Sequence, residues 1–327
     1  MCNNSVFCQI VPPFLSDKDV KELDVQFRER RTIKSDLEAM PAVAFLGTKR
    51  VKRFIYDCTN TIFQQLKLVR KEGGAKVKDK SVNTAYDYAG IIRTYFKKKL
   101  KFNSFDGNGS DMIFNVHYGE NYNNAFWDGD EMTFGDGDGD SFLSFVNSLD
   151  VMGHELGHGV IQFTANLDYE KQPGALNEHF ADVFGTAIKQ SALKQDAKTA
   201  DWLIGDTIVG PNFPGIAIRS MRDPGTAFSG DPQPNHMDNF FCGSDDHFGV
   251  HINSGIPNRI FYLASMEITT QKATRIWFDA LKQLKYNADF KAFKKAVVAS
   301  TTKAEKSKSV GKGSVLKIAG AFKSVGL

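Results

Sequence analysis
The pentapeptide His154-Glu155-Leu156-Gly157-His158 sets two imidazoles four residues apart with a carboxylate between them, inside an apolar run that includes Val151, Met152, Val160 and Ile161. Residues four apart share a helix face, so both rings can reach one zinc ion while Glu155 projects beside them toward a zinc-bound water. A buried face of this kind without a metal would leave several polar groups to satisfy, which argues against chance spacing in an ordinary core helix. Catalytic zinc needs a third protein ligand and one open position. A second helical pattern opening at Gly174 offers Glu178, with Asp182 one turn later on the same face. If the two helices pack together, Glu178 completes a His-His-Glu set and Asp182 accepts the free ring N–H of a ligating histidine, fixing its tautomer and raising its basicity.

The elements that must hold these residues follow from the periodicity. Residues 46–150 alternate short strand-like runs (51–56, 112–118, 124–127 and 132–134) with Gly- and Asn-rich turns, broken by one helical pattern at 86–100. From 151 onward the period is helical, with segments at 151–165, 175–193, 253–268 and 274–285 and a final pair before Leu327. Residues 205–249 are rich in Gly, Pro, Asp and Asn without a period, and a loop of that length in a compact domain is usually functional. Residues 1–45 stand apart: a short apolar strand-like piece with Pro12-Pro13, a charged helical stretch over 17–31, and a polar connector. The expected organisation is α+β, with an N-terminal appendage (1–45), a β-rich lobe (46–150) and a mostly helical lobe (151–327).

Composition narrows the class. With 42% hydrophobic and 12% aromatic residues, the 327-residue chain can bury a sizeable core. The 41 Lys and Arg nearly balance the 38 Asp and Glu, and a net charge of +3 gives no general reason to expect nucleic acid or an acidic membrane as partner. The lysine-rich stretches at 97–101 and 303–312 read as solvated faces. Four cysteines at positions 2, 8, 58 and 242 form no CxxC and no repeated spacing, so neither a disulfide framework nor a cysteine zinc site is expected. No apolar window approaches the ~18 residues of a membrane span, and the N-terminus lacks a positively charged leader, so the expectation is a cytoplasmic protein or one exported without a leader.

HELGH followed by GALNEHFADVFG (174–185) resembles the thermolysin family of metallopeptidases. The resemblance continues through YNNAFWDGDEMTFGDGDGD (122–140), IRSM (218–221) and GVHINSGIPNR (249–259), similar in order to the family's substrate-edge strand, arginine segment and catalytic-histidine segment. CQIVPPFL (8–15) and DPQP (231–234) resemble the protealysin-like branch, whose members carry a short propeptide. The resemblance implies a two-lobed fold with the active-site cleft between the lobes, and a zinc endopeptidase acting on proteins or peptides. It further implies that Asn124 and Ala125 hold the substrate backbone, that Tyr169 and His251 donate hydrogen bonds to the tetrahedral oxyanion, and that Asp246 orients His251. Arg219 would bind the substrate carbonyl on the leaving side. Phe142, Phe145, Val151 and Ile218 would line a pocket for an apolar residue after the scissile bond. Zinc and the two donors would stabilise the developing charge, and Glu155 would take the proton from water and pass it to the leaving amine. A monomer is expected.

The chain departs from the family at several positions. Gly157 stands where Thr is usual, and His247-Phe248 replace Asn-Gly, altering the approach to His251. At the double calcium site of secreted members, Asp150, Asp201 and Asp206 keep oxygen ligands, but Lys189 and Leu203 replace others. An ammonium repels a divalent cation, so calcium should be weakly bound or absent. The Asp136–Asp140 run lacks the Gly and Glu of an EF-hand at its sixth and twelfth positions and reads as a tight turn. Residues 1–45 are expected to be a self-cleaved propeptide. A thiolate from Cys2 or Cys8 could ligate the zinc, but a buried or incidental thiol is the simpler expectation. The competing functional readings are an inactive zinc-stabilised binding protein of the same fold and a basic interaction module built on the lysine tracts.

Overall fold
Strand-forming runs in the first third of the chain assemble one sheet. In the computed structural model, which describes residues 8–15 and 50–327, these are β1 (Cys8–Gln9), β2 (Arg53–Asp57), β3 (Lys67–Lys71), β4 (Met112–Val116), β5 (Ala125–Trp127) and β6 (Met132–Phe134). Their order is β1-β5-β6-β4-β2-β3. The pairs β2–β4 and β4–β6 are parallel, and the other three are antiparallel. The helix α1 (Lys80–Tyr95) buries Val82, Ala85, Ala89 and Ile92 on one stripe and is capped by Asp79, whose carboxylate accepts from the Val82 N–H at 3.1 Å. It runs on into a π-helical turn, Phe96–Leu100, which ends where Lys101 turns left-handed.

The strand-like run at 132–134 is β6, and the others found in the sequence overlap β2, β4 and β5 with small shifts at their ends. β3 was not visible in the sequence: of its five residues only Arg70 is fully buried, so no apolar alternation marks it. The Asp136–Asp140 run is a turn in which Asp138 Oδ1 accepts from the N–H groups of Asp140, Ser141 and Phe142 at 2.8–3.0 Å. The helical stretch expected over 17–31 lies outside the described residues.

The chain divides into two compact units, the first running to Phe163 and including Thr207–Phe213, the second comprising Thr164–Asp206 and Pro214–Leu327. The helix α2 (Leu149–Gln162), which carries the His-Glu motif, belongs to the first. Every residue from Asp150 to Ile161 is buried, so this helix is packed on all sides. Its close seating needs Gly159, where a Cβ would lie 3.0 Å from the Trp127 ring and 3.2 Å from Phe105 Cβ.

The second unit is mostly helical: α3 (Lys171–Leu193), the short pair β7 (Leu203–Ile204) and β8 (Arg219–Ser220), then α4 (Asp245–Asn253), α5 (Gly255–Ile268), α6 (Thr270–Leu281), α7 (Phe290–Lys306) and α8 (Ser314–Lys323). Its core packs Phe180, Phe261, Trp277, Phe293 and Phe322 edge to face or tilted around α3. Among the described residues no helix is long and apolar enough to cross a membrane.

In the first unit His117 bridges two carboxylates, with Nδ1 2.7 Å from Asp136 and Nε2 2.9 Å from Asp79. It thereby ties the α1 cap to the turn that follows β6. The hydrogen bond to Asp136, with help from Asp79, outweighs burial and raises its pKa to about 9. Since the folded value lies above the ordinary ~6.5, this clamp contributes its full stability below about pH 6.5 and loses it as pH rises through about 9. The melting-temperature difference between wild type and His117→Asn should therefore be largest near pH 6 and shrink by pH 10; a difference constant over that range would contradict the clamp.

Candidate active site
On α2 the four-residue spacing does what helix geometry requires. The rings of His154 and His158 meet edge to face with centroids 4.6 Å apart, and their Nε2 atoms are 2.9 Å apart. Both rings and Glu155 between them are fully buried. Two nitrogens on one tetrahedral zinc lie roughly 3.3 Å apart given Zn–N bonds of 2.0–2.1 Å, so opening the pair by a few tenths of an ångström admits the ion. The donor set therefore fits zinc.

The same unit carries the expected substrate edge. Ala125 starts β5, and Asn124 precedes it with its side chain buried. The outer edge of β5 is covered by the chain's own N-terminal residues. Cys8 pairs with Trp127 and Gln9 with Phe126, the Ile10 N–H donates to the Ala125 carbonyl at 3.3 Å, and the Asn124 amide both accepts from Val11 N–H (3.0 Å) and donates to Val11 O (3.2 Å). Phe142 and Phe145 are buried with ring centroids 5.5 Å apart, and Val151 is buried one turn into α2.

In the second unit Tyr169, Glu178, His251 and Asp246 come together. The Tyr169 hydroxyl donates to Glu178 Oε1 and lies 3.2 Å from His251 Nε2, which is 3.6 Å from Glu178 Oε2. His251 Nδ1 is 2.6 Å from Asp246 Oδ1, whose other oxygen accepts the His251 backbone N–H at 2.7 Å. Burial lowers the His251 pKa, but the carboxylates of Asp246 and Glu178 prevail and raise it to about 9. Gly174 allows α3 and α4 to approach, since a Cβ there would stand 2.4 Å from Val250.

Asp246, His247, Phe248 and Gly249 form one left-handed turn with φ of 53°, 51°, 65° and 80°. The side chains at 247 and 248 thus occupy conformations that Asn and Gly adopt more cheaply, at about 1–2 kcal/mol per residue. The substitution burdens the backbone, yet the Asp246–His251 alignment is intact.

Asp182 and Arg219 form a buried pair. Its carboxylate accepts from Arg219 Nε (2.9 Å) and Nη2 (2.8 Å) and from the Asn258 amide (2.8 Å). Burial works against the guanidinium charge, but Asp182 holds its pKa above the ordinary range. Ile218, just before β8, is buried. Sequence reasoning missed what lies behind this pair: His179 Nδ1 is 2.7 Å from Asn258 Oδ1, and Trp277 Nε1 donates to His179 Nε2 at 2.8 Å. Burial lowers the His179 pKa to about 4, so the ring is neutral. With Nε2 accepting from Trp277, its proton sits on Nδ1. Among the local signals only Asn258, inside the GVHINSGIPNR segment, was visible.

Comparison with known proteins agrees with this geometry. The description "Thermolysin metallopeptidase, catalytic domain" matches residues 31–162, and "Thermolysin metallopeptidase, alpha-helical domain" matches residues 165–327. An extracellular metalloprotease of Pectobacterium carotovorum subsp. carotovorum is 44% identical over 270 residues, covering 79% of this chain and 77% of its own. Protease PrtS of Photorhabdus sp. (strain Az29) is 43% identical over 258 residues, covering 75% and 70%. The solved precursor of protealysin, a metalloproteinase from Serratia proteamaculans, superposes with a TM-score of 0.83 at 39% identity, covering 98% of this chain and 99% of that one.

Where calcium ligands were considered, Lys189 has its own oxygen cage. Its ammonium lies 2.6 Å from Asp206 Oδ1, 3.2 Å from Asp201 Oδ2 and 3.2 Å from the Leu203 carbonyl. Asp150 instead caps its own helix turn, accepting from the Ser148 hydroxyl and the Val151 N–H. A fixed cation thus does the charge balancing that a bound ion would do. Adding calcium to metal-stripped wild type should leave its melting temperature unchanged. Lys189→Glu should lose about 1–3 kcal/mol and regain part of it with calcium; a large calcium-dependent rise in wild type would contradict the assignment.

Proposed function
The chain belongs to the thermolysin metallopeptidase family, and from that premise we propose that His154, His158 and Glu178 hold its zinc and that Glu155 is the general base. The protein is a zinc-dependent endopeptidase acting on proteins or peptides. The observation that carries the residue assignment is the buried His154–His158 pair with Nε2 atoms 2.9 Å apart and Glu155 beside it on one helix.

Bound there, zinc supplies Lewis acidity toward water and the scissile carbonyl. Glu155 takes the proton from the attacking water and delivers it to the leaving amine, a role suited to a carboxylate buried enough to favour its neutral form after transfer. His251 presents an N–H from Nε2 because Asp246 fixes Nδ1, and the Tyr169 hydroxyl 3.2 Å away gives a second donor converging on the same point. Together they stabilise the oxyanion once Tyr169 leaves Glu178 for the substrate. Asn124 and Ala125 bind the substrate backbone as an added strand. Phe142, Phe145, Val151 and Ile218 favour an apolar residue after the scissile bond, broadly, because one methylene is worth about 1–3 kcal/mol. Asp182 orients a ligating histidine, and Arg219, held rigidly by Asp182, reaches the substrate carbonyl on the leaving side.

Residues 1–45 are assigned as propeptide, 46–150 as the β-rich portion and 151–327 as the helical portion of the peptidase. The near-neutral charge balance supports a monomer without nucleic-acid or membrane partners.

Two substitutions test the roles. Glu155→Ala should keep one zinc per chain and lower kcat on a peptide with Leu or Phe after the scissile bond by about 10²–10⁴; unchanged cleavage would remove Glu155 from the chemistry, and zinc without any wild-type cleavage after removal of the N-terminal segment would favour the inactive binding protein. His251→Ala should cost about 10²–10³ in kcat with little change in KM, whereas a loss confined to KM would make it a binding residue.

A further inference from the structure
The N-terminal strand brings a thiol to the histidine pair. β1 is locked on the edge of β5 by the pairings of Cys8 and Gln9, by the Ile10 N–H to the Ala125 carbonyl, and by the two-way bond between Val11 and the Asn124 amide. Residues 8–11 are all buried. A strand held at four successive residues cannot slip by one without turning every side chain to the other face, so the register fixes the direction of the Cys8 side chain. That direction leads to α2: the Cys8 sulfur lies within 4.8 Å of a His158 ring nitrogen. Sulfur and nitrogen on one tetrahedral zinc, with bonds of 2.3 Å and 2.0–2.1 Å, stand roughly 3.5 Å apart, a separation reached by a small inward movement of either side chain.

We propose that Cys8 is the zinc's fourth ligand in the intact chain, a thiolate latch that keeps the peptidase latent until the N-terminal segment departs. The inference rests on His158 being a zinc ligand, as assigned above, and adds the regulation of that same site. Zinc hydrolysis needs an open coordination position for water, and a fully liganded zinc is structural, not catalytic. When the latch closes, the Cys8 S–H gives its proton to solvent and the sulfur bonds to zinc in the place that water would take. When the segment leaves, that bond breaks, the sulfur regains a proton and water returns; no oxidant or reductant is involved. The same strand covers the edge where Asn124 and Ala125 would bind substrate, so one segment closes both the metal and the backbone-binding edge. The expectation of an incidental thiol at position 8 is thereby revised, because the sequence gave no register for β1.

The test is X-ray absorption at the zinc edge on the full chain carrying Glu155→Gln, which prevents self-cleavage, together with the optical spectrum of its cobalt(II) form. The latch predicts one sulfur scatterer at about 2.3 Å and a thiolate-to-cobalt charge-transfer band, both lost in Cys8→Ala and in the volume-conserving Cys8→Ser while one metal per chain remains. They should persist in Cys2→Ala and Cys58→Ala. A shell of nitrogen and oxygen only, with zinc bound, would overturn the latch and leave the peptidase assignment standing. Sulfur that survives loss of Cys8 would overturn it equally, and failure to bind one metal per chain would overturn both.

Discussion
Placing two imidazoles and a carboxylate on successive positions of a helix that has no solvent-facing side is the constraint around which the first unit is organised. Buried polar groups are costly unless something satisfies them, and in α2 the ordinary escape of turning them toward water is closed because residues 150–161 are all buried. A divalent cation resolves this by bonding both Nε2 atoms at once. The sheet supplies the enclosure: Trp127 on β5 presses against Gly159, and its indole N–H donates to Gln162 at the end of the same helix. The helix therefore sits at a fixed height over the edge strand, which relates the metal donors to the backbone groups that bind a peptide.

In the second unit the same difficulty is met by pairing charges. Arg219 and Asp182 are both buried, and removing one partner of such a pair typically costs about 3–5 kcal/mol because the other is left uncompensated. Asn258, His179 and Trp277 extend the pair into the aromatic core and leave Asp182 a single orientation. Around His251 the cost is taken in the backbone. A left-handed turn with three residues other than glycine is unfavourable, and it is held by the bonds that Asp246 receives from the His251 ring and backbone. Strain at this place is consistent with a position that must aim a donor.

The sequence showed the features whose spacing is itself chemistry. The metal-binding pentapeptide, Glu178 with Asp182, and the Asp246–His251 pairing were legible because helix geometry or family motif determines them, and the helical period after residue 150 was legible because the cores are large and apolar. What stayed hidden depends on distant contacts. β3 is an edge strand of mostly exposed residues, and its pairing with β2 is not encoded in an apolar pattern. The exclusion of a divalent ion by Lys189 was foreseen, but its contact with the Leu203 carbonyl was not, since a backbone oxygen has no sequence signature. His179 next to Glu178 looked unremarkable because its partners lie 79 and 98 positions away. Cys8 looked incidental for the same reason: its role depends on a strand register set by Asn124, which is 113 positions from its partner Val11.

These features share one premise, that zinc is bound by the histidines of α2 with Glu178 as the third protein ligand. The most direct measurement is the zinc content of the purified full chain by elemental analysis, alongside His158→Gln and Glu178→Gln variants shown by circular dichroism to be folded. The account predicts one zinc per chain in wild type and loss of most of it under chelator-buffered conditions in either variant. Full zinc retention in both folded variants would contradict it.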